Sequence, residues 1–117
     1  MTSSTPTAPR VAVRTAGALK TGLAAAAKDF LAEYGWTFAT GFTHGPDIET
    51  ELANGTCAAD IVGLMDDAIA KGLERGKLVG PRVPIGAIQI GVAVRAGTEP
   101  PDISTMDRFI EALRAAD

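Results

Sequence analysis

One cysteine in the whole chain, Cys57, leaves no partner for an internal disulfide, and with a single histidine, His44, no Cys/His spacing offers a zinc site. No basic neighbour in the sequence activates the Cys57 thiol, so it reads as a small hydrophobe. Positive charge is scarce too. Eleven Lys and Arg stand against 14 Asp and Glu, a net charge of -3, which gives no basic patch for nucleic acid and no polybasic anchor. No apolar run approaches the roughly 20 residues that cross a bilayer. The longest, Ile85 to Val94, is interrupted by Gly86, Gln89 and Gly91, so no membrane insertion is expected. Residues 1–9 (MTSSTPTAP) have neither the basic n-region nor the apolar h-region of a secretory leader. The sequence as it stands therefore predicts a cytoplasmic chain with a disordered tail over 1–9. No GxSxG, P-loop or GxGxxG pattern occurs, and no cofactor is expected.

What is present is a soluble composition, 46% apolar and 21% charged, arranged in alternating strand and helix patterns. A β-branched run at 10–15 is broken by Gly17. Leu19, Leu23, Phe30 and Tyr34 then recur at helical spacing, predicting a helix over 18–34 that Gly35 ends. Trp36 to Phe42 (WTFATGF) predicts a second strand. Pro46, Ile48 and Leu52 mark a helix over 46–54, stopped by Asn54-Gly55. Asp60 to Leu64 reads as a third strand, followed by a helix over 66–75 capped by Asp66 or Asp67. Ile85 to Arg95 reads as a long fourth strand. Ser104 and Thr105 start a last helix over 104–116 whose apolar side carries Met106, Phe109, Ile110 and Leu113. Leu23, Phe30, Leu31, Ile48, Leu52, Ile61, Val62, Leu64, Ile69 and Leu73 make the candidate core. The alternation predicts an α/β fold, a mostly parallel sheet with helices on both faces in three layers.

Ligands of open parallel sheets sit beyond the carboxyl ends of the strands, where helix N-termini point. Two loops qualify. Thr15, Ala16, Gly17 and Ala18 follow the first strand with free N–H groups and a positive dipole end, an arrangement suited to an anion. Thr43, His44 and Gly45 follow the second, with Thr43 and His44 as donors. Any βα turn also uses Gly and Thr simply to begin a helix, and both readings stand at this point. His44 is the one imidazole and so the candidate for acid–base work. Asp47, Glu49 and Glu51 beside it serve equally as compensation for a helix dipole. Asp66 and Asp67 read as a cap and its neighbour, not a metal pair.

Ala16-Gly17-Ala18-Leu19, Ala59-Asp60-Ile61-Val62, Arg82-Val83-Pro84-Ile85, Ile90 to Gly97 (IGVAVRAG) and Pro101 to Thr105 (PDIST) together resemble, in order and spacing, the molybdate-binding-protein-like branch of the type 2 periplasmic solute-binding proteins. The resemblance runs from about Arg10 to the end. It implies two α/β lobes closing on an anion-like solute: residues 10–97 as the first lobe, and 98–117 as the truncated start of the second. It also implies a periplasmic setting, which is typical of the family. That family usually places serines at the first two loops to hold tetrahedral oxyanions. Here those positions read Ala18 and His44-Gly45-Pro46, which favours a small organic carboxylate. Relatives of this fold resembling aconitate isomerase give the alternative, an isomerase using His44 as its acid/base. A third reading pairs the half-domain with another copy of itself, a homodimer through the truncated edge.

Overall fold

Strand and helix alternate from Arg10 to Glu74 in the computed structural model, which describes residues 7–116. The first six residues of the expected tail lie outside them. Contacts divide the chain after Pro84. The first unit holds β1 (Arg10–Ala16), a single 3₁₀ turn (Gly17–Leu19), α1 (Lys20–Tyr34), β2 (Thr37–Thr43), α2 (Gly45–Asn54), β3 (Ile61–Gly63) and α3 (Asp66–Glu74). The three strands form one parallel sheet in the order β2-β1-β3, with β1 central. Arg10 pairs with Thr37 and Ala16 with Thr43, while Val13 and Thr15 pair with Ile61 and Gly63.

Side chains alternate across a strand, so Val11, Val13 and Thr15 share one sheet face with Phe38, Thr40 and Phe42 of β2. Phe30 of α1 stacks edge-on against Phe38 at 5.4 Å and also meets Tyr34 and Trp36, which places α1 on that face. The opposite face carries Ala12, Ala39 and Gly41. These small residues admit α2 closely, and Ile48 of α2 is fully buried. On that same face Arg14 reaches Glu51 of α2. α3 packs against α2, with Ala68 and Gly72 buried. The fold is thus the α/β sheet with helices on both faces that the periodicity predicts.

Helix ends follow their local chemistry. Gly35 and Gly55 both take left-handed backbone, φ 72°, and stop α1 and α2 as expected. The start of α3 differs from expectation. Met65 is the N-cap, without a side-chain bond, and Asp66 and Asp67 lie inside the first turn. There they face the helix dipole instead of capping an N–H group.

The core is thinner than the pattern predicts. Among the described residues Val13, Ile48 and Ala68, with Thr15 and Gly72, make up the buried set. Leu23, Phe30, Leu52, Val62, Leu64, Ile69 and Leu73 are half-buried, and Leu31 and Ile61 are exposed. A sheet of two seven-residue strands and one of three residues presents too little area to cover every apolar position of its helices.

The second unit begins at Ile85. The expected fourth strand over 85–95 is not formed: these residues pair with no strand among the described residues. Its β-branched composition supplies propensity, but a strand exists only through its ladder partners. Gly97, at φ 86°, lies in a turn, with Thr98 N–H donating to the Arg95 carbonyl. α4 (Met106–Ala115) follows, with Thr105 Oγ1 accepting from Arg108 N–H as a true N-cap. Asp102 accepts from Ser104 and pairs with Arg108 at 3.1 Å. Met106, Ile110 and Leu113 of the apolar stripe are exposed, and Phe109 is half-buried.

Two substitutions separate core from cover. Ile48→Ala should lower unfolding free energy by about 2–5 kcal/mol through lost burial and a residual cavity. Leu31→Ala, at 47% exposure, should cost about 0.5 kcal/mol or less. Urea denaturation of both variants checks the difference, and equal losses would contradict the core described here.

Candidate ligand-binding loops

Because the strands are parallel and nearly in register at their ends, the loops after β1, β2 and β3 all leave one edge of the sheet. They adjoin there. A Cβ built on Gly63 would strike the Thr15 side chain and come within 3.2 Å of Leu19 Cδ1, while one on Gly45 would come within 3.9 Å of Leu64 Cδ2. The end of β3 therefore touches both loops named by the sequence. Gly63, Leu64 and Met65 belong to the candidate site, although no residue type marked them. The rule that would have found them is topological: every parallel strand contributes a loop at its carboxyl end.

Each candidate residue has a definite place. Thr15 is fully buried, and its hydroxyl donates to the Gly63 carbonyl at 3.1 Å. It ties β1 to β3 and offers nothing to a solute. Ala16 is extended (φ -67°, ψ 148°) and turns the chain into the 3₁₀ turn. Gly17 and Ala18 are exposed at the start of that turn, where N–H groups have no intrahelical acceptor. At the second loop, the Thr43 hydroxyl donates to Asp47 Oδ2 at 2.9 Å, so its donor is already committed. His44 is exposed and caps α2 through its backbone: its carbonyl accepts from Asp47 and Ile48 N–H. Gly45 opens the helix, with Pro46 in the first turn.

The three helix starts differ in charge. Asp47 sits in the first turn of α2, and Asp66 and Asp67 in that of α3. These carboxylates neutralise the positive dipole end and repel an arriving anion. Asp66 is further drawn to Arg82 at 3.4 Å and Asp67 to Lys71 at 4.0 Å. The α1 start holds no acid and begins with Lys20, whose ammonium lies 5.9 Å from the Phe42 ring centroid. A cation at the first helical position opposes the dipole and would be unfavourable by itself. That local conflict is the signal in the sequence that would have marked Lys20. Among the described residues no group of three or more His, Cys, Asp or Glu could hold a metal, and no helix is long and apolar enough to cross a membrane.

Residues 11–116 match the model of a family described as bacterial extracellular solute-binding protein. The chain belongs to that family. The match runs from within β1 to just past α4. No curated protein and no solved structure matches the chain. Family membership therefore establishes a solute-binding module, without naming the solute or the molybdate-like branch.

The loop edge of this solute-binding module is braced from the opposite sheet face by one ion pair. Arg14 Nε and Nη2 donate to Glu51 Oε2 and Oε1 at 3.0 and 2.6 Å, a bidentate bridge with both side chains less than a third exposed. Those hydrogen bonds hold the Glu51 carboxyl below its ordinary 4.5; partial burial opposes the shift and the guanidinium charge reinforces it. Gly41 makes room for the bridge, since a Cβ there would lie 2.8 Å from Arg14 Nη1. A depressed carboxyl stabilises the fold fully above its unfolded value and loses that contribution as pH falls through the folded one. The melting temperature should therefore drop more steeply below pH 4.5 in the parent chain than in Glu51→Gln. Parallel thermal melts from pH 7 to 3 make the comparison, and identical pH profiles would remove the bridge from the stability account.

Proposed function

We propose that the chain binds a small anionic solute of the organic carboxylate class at the start of α1. The observation that carries this reading is the charge difference between the three loops: α1 alone among the strand-following helices described begins without an acid and with Lys20. Gly17 and Ala18 supply backbone N–H donors, and the Lys20 ammonium supplies the counter-charge. Ala16 shapes the turn, Thr15 anchors it from below, and Thr43, His44 and Gly45 form the neighbouring wall. The first loop carries no free hydroxyl, because Ala16, Gly17 and Ala18 have none and that of Thr15 is turned to Gly63. This supports a carboxylate over a tetrahedral oxyanion of the molybdate type, which would call on hydroxyl donors that this loop lacks.

An uncompensated helix end contributes about 0.3–1 kcal/mol to an exposed anion, rising to about 2 when partly buried. A charge-assisted hydrogen bond adds about 1.5–3 kcal/mol. Their sum lies near the roughly 4 kcal/mol of a millimolar Kd. Titration of labelled protein with small mono- and dicarboxylates, and with sulfate in parallel, should give Kd values on the order of millimolar. Shift changes should centre on Gly17, Ala18 and Lys20 and be stronger for the carboxylates. Lys20→Glu should abolish them without altering the melting temperature by more than a few degrees. Shifts centred on Asp47 or Asp66, or undiminished binding by Lys20→Glu, would overturn the assignment.

A further inference from the structure

β2 is an edge strand: β1 lies on one side of it, and among the described residues no strand pairs with the other. Such edges are normally blunted by shortness, charge, proline or a bulge. β2 has none of these. It runs seven residues, TFATGFT, without a charge or a proline, and its register against β1 is unbroken from Arg10↔Thr37 to Ala16↔Thr43. The sequence of this strand is also nearly a palindrome about Thr40. Read from either end it gives Thr, Phe, a small residue, Thr, a small residue, Phe, Thr.

The direction of its backbone groups can be worked out. Thr37 N–H donates to the Pro9 carbonyl, on the β1 side. N–H and C=O of one residue point to the same side, and successive residues alternate, so Thr37, Ala39, Gly41 and Thr43 bond inward. Phe38, Thr40 and Phe42 therefore present their N–H and C=O groups outward. The centre of the palindrome coincides with an outward-facing residue, so a two-fold antiparallel pairing there makes Thr40 a hydrogen-bonded pair with its own copy.

We propose that this edge is a self-association surface whose partner is a second copy of the chain, β2 against β2, antiparallel and centred on Thr40. In that register Thr40 faces the Thr40 of its copy, Phe38 faces Phe42, Ala39 faces Gly41 and Thr37 faces Thr43. The outward groups of Phe38, Thr40 and Phe42 close about six hydrogen bonds across the axis. Phe38 and Phe42 meet as cross-strand aromatic pairs and Thr40 as a Thr–Thr pair, both favourable combinations, and no like charges oppose. The two sheets merge into one of six strands. The proposal rests on β2 alone and is independent of the solute reading.

Sedimentation of the full chain at high micromolar concentration should give roughly twice the 12.0 kDa of one chain. In a Cys57→Ser background, Thr40→Cys should cross-link into a dimer on mild oxidation, because the facing Cα atoms of a hydrogen-bonded pair lie about 5.5 Å apart, within disulfide reach. Thr37→Cys should not, since its copy lies at the far end of the strand. Thr40→Pro removes only an outward donor and should return the protein to a monomer with unchanged circular dichroism. If that variant does not fold, the cross-linking pair decides. A monomeric parent chain, a folded Thr40→Pro that still dimerises, or cross-linking no faster at position 40 than at 37 would each overturn the proposal.

Discussion

Both ladders of this sheet run through β1, so its seven residues carry the architecture. Nearly every role on that strand is set by alternation. Val13 and Thr15 turn to the face covered by α1 and are buried, and Arg14 between them turns to the face of α2. The backbone of Ala12 is gripped twice by Asp60, which accepts its N–H through the carboxylate and donates its own N–H to the Ala12 carbonyl, each at 2.8 Å. A shift of one residue would put Arg14 against Phe42 and Val13 against Gly41. Register is therefore enforced by chemistry on both faces at once.

The same strand fixes what its neighbours can offer a solute. Thr15 spends its hydroxyl on β3, and Arg14 spends its guanidinium on Glu51, so neither is available at the loop edge. What remains there is backbone and the first residues of three helices. Their acids divide the edge into two sites already neutralised and one open. On the proposed reading, that division directs an anionic solute to the corner of the sheet at the start of α1.

Much of this was legible in the sequence. The periodic runs located every strand and helix of the first unit within a residue or two, and Gly35 and Gly55 marked the stops because only glycine takes positive φ without cost. Family resemblance was carried by ordered short motifs, which periodicity alone would not assemble. Failures had physical causes. Ile85 to Arg95 has strand composition, but pairing is a property of a partner and not of a segment. Leu31 and Ile61 have core chemistry, but their burial depends on how much sheet lies opposite. Asp66 and Asp67 look like caps, yet capping needs an extended residue just before the helix, and Met65 holds that place. Thr43 looked like a free donor because Asp47, four residues on, does not announce that it will accept from it.

The placement of β3 has a consequence for biosynthesis. β1 and β2 are complete once Thr43 has been added, whereas the stretch from Thr43 to Gly63 takes about one to four seconds at roughly 5–20 residues per second. A two-stranded parallel ribbon of β1 and β2 is a marginal structure by itself, and its long-range closure onto β3 has to wait until that stretch has been made. Asp60, arriving just ahead of β3 and able to take hold of Ala12 through both its backbone and its carboxylate, is the residue that ends the wait. The vectorial order of translation thus makes a single aspartate the latch of a strand laid down some fifty residues before it.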